Sequence, residues 1–326
     1  MKGRIKLLAI VLIFPFISYA QVPAQADTLI KKLDSLQQKD SGNPDKPNNI
    51  NPKAYTENTN LTPSTYFILL GSNIKQQFTT PFHTSKRGWV RFAEFAVFTT
   101  ALSFADKPVN RFAINITTDH KTIINTSSFI TKVGGLYEAY TLAALGTYSF
   151  IFKDQKLKTT TLLATQAYVT AGLSETVLKF LTGRQRPNYY DAVTKTNNPT
   201  FHGPFSKTLR DVNGAKLNGS FPSGHAAVAF AAATVFAQEY RDRPWVPVVS
   251  YSAATLIALS RLTENKHWIT DVFVGSALGY LTGRQITNNY HRYARIKNGE
   301  KQKQHPVALT VQYFEGRLLP GLIYHL

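Results

Sequence analysis

The stretch that decides the fold is FPSGHAAVAFAAA, residues 221–233, in which a short polar segment precedes a run of small apolar residues. Serine favours the start of a helix, and glycine lets the backbone approach a ligand closely. The free N–H groups of such a helix start attract anions. The stretch therefore predicts a helix that begins near Ser223, with Gly224 and His225 in a first turn that can bind an anion. An ordinary capped helix with an incidental histidine would explain this stretch alone equally well.

A second segment, KFLTGRQRP at residues 179–187, ends an apolar helix. Because Gly183 and Pro187 stop the helix, Lys179 and Arg186 can turn towards a common point. Two fixed cations suit a phosphate group, since arginine offers two parallel N–H donors to its oxygens. Basic residues are also common at helix ends for dipole reasons, so this segment is weak by itself.

A third segment, SRLTENKHWITD at residues 260–271, places His267 and Asp271 four residues apart. At this spacing two side chains share one face of a helix. A carboxylate there can accept a hydrogen bond from one imidazole nitrogen, so that the other nitrogen is presented as a nucleophile. The alternative is an ordinary surface pair.

Together, the order Lys-x6-Arg-Pro, Pro-Ser-Gly-His and Ser-Arg-x5-His-x3-Asp resembles the type 2 phosphatidic acid phosphatase family. That family also includes bacterial class A acid phosphatases and vanadium haloperoxidases. The resemblance covers about residues 88–290 and every named position of the three motifs. It implies an all-α core, here a six-helix bundle, and hydrolysis of a phosphate ester without a metal or other cofactor.

The resemblance also implies a role for each matched residue. His267 would attack phosphorus and form a phosphohistidine, supported by Asp271, while His225 would protonate the leaving oxygen and then activate water. The oxygens of the phosphate would be bound by five residues, namely Lys179, Arg186, Ser223, Gly224 and Arg261. No metal site is expected, because the two histidines lack a third ligand at motif spacing.

Several polar residues lie outside these motifs. We expect Arg184 and Lys266 to be solvated, and we expect the polar loop 188–221, which includes Tyr189 and Tyr190, to cover the phosphate. The histidines without a motif are expected to be surface or packing residues: His83, His120, His202, His291, His305 and His325.

The composition restricts the possible partners. The 326 residues include 37 Lys+Arg and 19 Asp+Glu, a formal net charge of +18, and no cysteine. The absence of cysteine excludes disulfides, thiolate metal sites and cysteine nucleophiles. The charge alone allows nucleic acid, anionic lipid or phosphorylated substrates. With the resemblance, we expect a phosphorylated lipid or small phosphomonoester as substrate, an anionic membrane surface, and no nucleic acid.

The N-terminal region has the pattern of an export signal. Three basic residues precede an apolar run that ends in Ser-Tyr-Ala before Gln21, which predicts a signal peptide over residues 1–20 and export to the periplasm or the cell-envelope membrane. The alternative is an uncleaved membrane anchor. A polar, disordered linker is predicted over 21–62, and an amphipathic segment over 63–87.

The central region alternates apolar stretches with loops. Its uncharged runs reach at most 17 residues, whereas a membrane-spanning helix needs about 20, so a soluble and a membrane-embedded bundle are equally compatible. The repeated LTGRQ at 181–185 and 281–285 places Gly183 and Gly283 where helices would end. The six predicted helices cover about 88–105, 130–152, 159–181, 224–240, 245–260 and 268–286.

The C-terminal region, residues 291–326, is expected to be a basic tail with two short extended segments that suggest a β-hairpin.

Three other functions fit parts of the sequence. A soluble periplasmic acid phosphatase acting on small phosphomonoesters would use the same residues. A vanadium haloperoxidase would hold vanadate where phosphate would pass. A non-catalytic protein that binds anionic lipid would explain the charge, but binding alone does not need His225, His267 and Asp271.

Overall fold

The computed structural model describes most of the chain that follows the predicted linker. The described residues are 57–134, 136–189, 197–205, 210, 217–304, 307–314 and 317–324. The predicted signal peptide and nearly all of the predicted linker lie outside them. Within the described residues the chain forms nine α-helices, which confirms the predicted all-α class.

The helices follow one another with short connections. In chain order they are α1 Pro63–Thr79, α2 Lys86–Ser103, α3 Asp106–Asp119, α4 Lys121–Val133, α5 Leu136–Ile151, α6 Gln155–Thr182, α7 Gly224–Glu239, α8 Trp245–Thr263 and α9 Ile269–Gln304. A 3-10 turn, Thr80–His83, follows α1. Near the C-terminus two strands, β1 Val307–Phe314 and β2 Arg317–Tyr324, pair antiparallel.

Two helices, α3 and α4, lie mostly where the sequence predicted a loop. The N-terminal one, α3, buries two polar residues, Asp106 and Asn110. Its apolar residues Val109, Phe112, Ala113 and Ile116 recur at helical spacing, a signal that the sequence reasoning overlooked. The predicted helix over 130–152 begins only at Leu136, because the chain is extended at Gly134. A Cβ at Gly134 would overlap the side chain of Ile257, so the close passage of the two segments requires glycine.

The alanine-rich α7 lies at the centre and packs against α6, α8 and α9. Three glycines of α9 at four-residue spacing, Gly275, Gly279 and Gly283, face the α7 backbone, where any Cβ would overlap it. The prediction that Gly283 ends a helix is therefore wrong, because α9 continues through it to Gln304. Gly183, in contrast, ends α6 in the left-handed conformation, with φ 55°, as predicted.

The predicted amphipathic segment forms α1 and docks through buried amides. Asn73 donates to Gln166 of α6 at 2.9 Å and accepts from Asn289 of α9 at 2.6 Å. Because buried amides are costly without partners, this network fixes one register for α1 on the bundle.

The outer surface is unusually apolar. α2 buries none of its residues and exposes Val97 and Phe98, by 70% and 55%. Within the described residues one helix, α8, is long and apolar enough to cross a membrane, with a mean hydropathy of 1.3. One such helix does not establish a membrane protein, because a core helix can have the same composition.

Candidate active site

His267 occupies the connection between α8 and α9 and is almost completely buried, with 2% of its surface exposed. Its Nδ1 lies 2.7 Å from the carbonyl oxygen of Ser220. Since a carbonyl can only accept, the ring carries its proton on Nδ1 and leaves Nε2 as the basic nitrogen. Desolvation lowers the pKa of His267 to about 4, and the positive charges of Lys179 and Arg186 act in the same direction, against Asp271. The ring is therefore neutral at physiological pH, as a nucleophile must be.

Asp271 lies beside His267 without a direct hydrogen bond to it. Its Oδ2 is 3.6 Å from Nδ1, beyond hydrogen-bonding distance, so the predicted direct contact is replaced by an indirect one. The same oxygen accepts from the Ser220 hydroxyl at 2.5 Å and from the Trp268 amide at 2.8 Å. Asp271 thus fixes Ser220, whose carbonyl orients the imidazole of His267. It also fixes Trp268, the residue that follows His267 in the chain.

Arg184 is buried, with 2% exposed, so the expectation that it is solvated was wrong. The left-handed turn at Gly183 sends the chain back across the end of the bundle, where the amide of Ser220 donates to the Arg184 carbonyl. The guanidinium donates from Nη1 to Asp271 and from Nη2 to Asp106, both at 2.5 Å. Its charge is thereby shared between two buried carboxylates. Lys266 is half-buried.

The three predicted cations come together at this end of the bundle. Lys179 in the last turn of α6, Arg186 and Arg261 all lie within electrostatic range of His225. Lys179 forms an ion pair with Glu175 one turn earlier, and Arg261 forms one with Glu264 at 2.5 Å. Such carboxylates hold the cations in place before an anion binds.

The start of α7 supplies an anion site of a different kind. Ser223 is completely buried, and its hydroxyl has no hydrogen-bond partner among the described residues. Gly224 follows at the first position of the helix, where a Cβ would overlap the carboxylate of Glu175. His225 is the next residue and is half-buried. A phosphate oxygen would satisfy the hydroxyl and the free N–H groups of this helix start.

Among the described residues, the structure places none of the other histidines in the site. His202 lies 3.4 Å from the side chain of Gln185, and His291 packs between Glu239 and the Glu57 carbonyl. His83 and His120 are exposed, and the last two, His305 and His325, lie outside the described residues. Of the predicted covering loop 188–221, the structure describes 188, 189, 197–205, 210 and 217–221; Tyr190 lies outside. No group of three metal-binding side chains is found in the described part of the chain.

Comparison with known proteins agrees with this arrangement. Residues 159–295, which contain all three motifs, match the model of the PAP2 superfamily. The segment with the three motifs is similar in sequence to the PAP2 superfamily. The predicted family is thereby confirmed.

A curated relative of the PAP2 segment is a lipid A 1-phosphatase from Porphyromonas gingivalis, 49% identical over 65 residues. The match covers 20% of this chain and 15% of the length of that protein. Two solved structures are similar in fold. One is a transmembrane PAP2 type phosphatidylglycerolphosphate phosphatase from Bacillus subtilis, with 19% sequence identity and a TM-score of 0.46. The match covers 65% of this chain and 94% of the Bacillus subtilis chain. The other is LpxE from Aquifex aeolicus, with 22% sequence identity and a TM-score of 0.39. The match covers 56% of this chain and 94% of the LpxE chain.

Sequence reasoning missed several residues that shape the site. Ser220 and Arg184 lie next to recognised motif residues, so their closeness in sequence could have indicated them. Glu175 is one helical turn before Lys179, a spacing that predicts an ion pair. Asp106 has no such signal, because more than 70 residues separate it from the first motif.

Proposed function

We propose that this protein is a phosphatase that hydrolyses a lipid phosphate or pyrophosphate monoester through a phosphohistidine on His267, without a metal ion. The observation that carries the proposal is the state of His267. Its Nδ1 is engaged with the Ser220 carbonyl at 2.7 Å, so its free Nε2 belongs to a neutral ring surrounded by cations. A neutral nucleophile beside fixed positive charge suits attack on an anionic phosphorus centre.

The first step forms a bond between His267 Nε2 and phosphorus and breaks the bond from phosphorus to the leaving oxygen. His225 gives its proton to that oxygen, and the alcohol or phosphorylated lipid departs. In the second step His225 takes a proton from water, whose oxygen attacks phosphorus and breaks the N–P bond. Inorganic phosphate leaves, and both histidines return to their starting states.

The cations make both steps possible without a bound metal. Lys179, Arg186 and Arg261 would bind the equatorial oxygens, on which negative charge is spread in the transition state. The hydroxyl of Ser223 and the N–H of Gly224 would complete the cradle. Desolvation, and after it the charges of the nearby cations, lower the pKa of His225 to about 3, so the ring is neutral before substrate binds. A bound phosphate dianion offsets these cations and raises the pKa of His225, which favours the protonated ring that the first step requires.

A lipid substrate is supported by the apolar surroundings of the site. A pocket of about 390 Å³ between α6 and α7 reaches His225 and is lined by apolar side chains, among them Val169, Leu173 and Val228. Val169 and Leu173 are also exposed on the outer face of α6. A hydrocarbon chain attached to the phosphate could therefore pass from the site to the apolar exterior. The curated relative, a lipid A 1-phosphatase, acts on a substrate of this class.

The apolar exterior supports placement of the bundle in a membrane. Large apolar side chains are exposed on helices on several sides of the bundle, including Phe92 and Val97 on α2 and Val248 and Leu256 on α8. Contiguous exposed apolar surface of this kind marks contact with lipid or protein partners.

The predicted signal peptide over residues 1–20 supports export of the protein. With export, His267 would face the periplasm. Basic residues lie in connections at both ends of the bundle, Lys153, Lys156, Arg241 and Arg243 at the end opposite His267 and Lys195, Lys207, Arg210 and Lys216 in the loop 188–221, so the orientation is proposed from the export signal alone.

Phosphate release from a panel of substrates tests the proposal. We expect release from at least one detergent-dispersed lipid phosphate by the purified protein, and none by His267→Ala. Envelope fractionation should place the protein in a fraction that requires detergent for extraction. Recovery in the soluble periplasm, with activity on small phosphomonoesters but not on lipids, would instead establish a soluble acid phosphatase. A protein inactive on every substrate would contradict the proposal altogether.

A further inference from the structure

We infer that Asp106 is a positioning residue for catalysis by His267; this inference rests on the proposed function. Asp106 is the first residue of α3 and lies outside the segment that matches the PAP2 model. Its side chain is completely buried, with 0% exposed. Burying a carboxylate is costly unless it is paired and hydrogen-bonded, so the partners of this one indicate what it does.

The carboxylate of Asp106 joins two segments of the site that are far apart in sequence. Its Oδ2 accepts from Arg184 Nη2 at 2.5 Å. Its Oδ1 accepts from the Thr270 amide at 3.1 Å and from the Thr270 hydroxyl at 2.9 Å. Asp106 therefore ties the segment after α6 to the start of α9, immediately beside the turn that carries His267.

From Asp106 a continuous series of hydrogen bonds leads to the nucleophile. Arg184 bridges Asp106 and Asp271, and its Nη1 donates to Asp271 at 2.5 Å. Asp271 accepts from the Ser220 hydroxyl at 2.5 Å, and the Ser220 carbonyl lies 2.7 Å from His267 Nδ1. Each link is charged or buried, so little freedom remains for the imidazole.

The charges of this series matter as much as its geometry. Arg184 is shared between Asp106 and Asp271, so the three groups together carry one net negative charge beside His267. As Nε2 bonds to phosphorus, the imidazole gains positive charge that this negative charge stabilises. Without the Asp106 charge, Arg184 would neutralise Asp271 alone, and the stabilisation would be lost.

Two of the proposed phosphate-binding cations are not part of this series. Lys179 and Arg261 have their own carboxylate partners, Glu175 and Glu264. A change at Asp106 should therefore slow the chemical step and leave substrate binding nearly intact. Because a loss of folded protein would also lower the apparent kcat at unchanged KM, kcat is calculated per folded chain, with the folded fraction measured by circular dichroism.

The test compares Asp106→Asn with Asp119→Asn. Both replace a carboxylate by an amide of the same shape on α3, but Asp119 is exposed at the last residue of the helix. On dispersed phosphatidic acid we expect kcat of Asp106→Asn to fall by about 10- to 100-fold, since small displacements of reacting groups have effects of this order. Its KM should stay within about threefold of the control value, and Asp119→Asn should behave as the unaltered protein.

A measurement that does not depend on turnover separates this inference from the proposed function. In ¹⁵N-histidine-labelled protein, the buried Nδ1 proton of His267, assigned with His267→Gln, should exchange slowly with solvent. Asp106→Asn should accelerate that exchange by about tenfold or more, while Asp119→Asn should not. If the unaltered protein releases no phosphate from any substrate but shows this difference, the proposed function fails and the positioning role stands.

A folded Asp106→Asn whose kcat and proton exchange both match those of Asp119→Asn would overturn the inference. If Asp106→Asn does not fold, Thr270→Val decides, because it keeps the shape of the side chain but removes the hydroxyl that donates to Asp106 and accepts from Arg184 Nη1 at 2.6 Å. We then expect kcat at least about fivefold lower at unchanged KM, as for the loss of these hydrogen bonds. An unchanged kcat in Thr270→Val would overturn the inference equally.

Discussion

Replacing Gly275 by alanine should slow phosphate release strongly without altering any group that contacts phosphate. Gly275 lies on the face of α9 that packs against the start of α7. A Cβ at this position would overlap the Ser223 carbonyl oxygen. It would lie about 1 Å closer to that oxygen than the 3.4 Å at which ordinary van der Waals contact begins. Because the obstacle is backbone, no side-chain rotation relieves it, and α7 and α9 must separate by about that distance.

This separation acts directly on the site. Ser223 and Gly224 lie on one side of the contact, and His267 precedes α9 on the other, so the proposed phosphate cradle moves about 1 Å from the proposed nucleophile. A displacement of about 1 Å can cost on the order of 100-fold in rate. Overpacking of this kind also lowers the free energy of unfolding by about 1–3 kcal/mol.

Gly71→Ala is the matched control, because a Cβ at Gly71 in α1 would meet no atom within 4 Å. It should retain full activity, and its free energy of unfolding should rise by about 0.5–1 kcal/mol, because alanine favours a helix. The assay is the initial rate of phosphate release from dispersed phosphatidic acid, with thermal unfolding measured in parallel. A kcat for Gly275→Ala within threefold of that for Gly71→Ala would refute the argument that this contact sets the geometry of the site.

Three further predictions concern the chemistry itself. His225→Ala should reduce turnover by more than about 100-fold while retaining phosphate binding, because only proton transfer is lost; near-normal turnover would exclude the assigned role. Desolvation lowers the pKa of His267 to about 4, so the imidazole stays neutral down to about that pH. The fall of kcat/KM on the acidic side should therefore lie near pH 4 to 5. A fall centred near the ordinary histidine pKa, about 6.5, would argue against His267. Chelator should leave the rate unchanged and orthovanadate should inhibit by imitating the transition state, whereas activity lost in EDTA and restored by zinc or magnesium would rule out metal independence.

The fold was predictable where the sequence has long apolar runs. The sequence predicted the bounds of α6 and α7 to within a few residues, because both helices are rich in small apolar residues. The helix α3 was missed although Val109, Phe112, Ala113 and Ile116 recur at helical spacing, because polar residues separate them and no long apolar run marks the helix. Gly283 was misread as a helix end because close helix packing and helix termination both favour glycine.

The site was predictable to the extent that its residues lie in short motifs. Lys179, Arg186, Arg261 and the two histidines occur at spacings with a chemical meaning, and the structure brings them to one end of the bundle. The burial of Arg184 depends on Asp106, which approaches only when α3 packs across the start of α9. No local pattern encodes such a contact between distant segments.

The measurement that tests the central claim most directly is the trapping of the phosphoenzyme. The His225→Ala variant should accumulate it, because attack by water is slowed more than phosphoryl transfer to His267 when the leaving group is good. The variant is mixed with a lipid pyrophosphate labelled with ³²P on its terminal phosphate, because the phosphorylated lipid that departs is a good leaving group. The reaction is quenched in alkali, in which phosphohistidine survives, and the labelled peptide is identified by mass spectrometry. The account predicts label on His267, up to one phosphate per chain, and none when His267 is also replaced by alanine. Label on another residue, or complete single turnover with no labelled protein at any time, would contradict it.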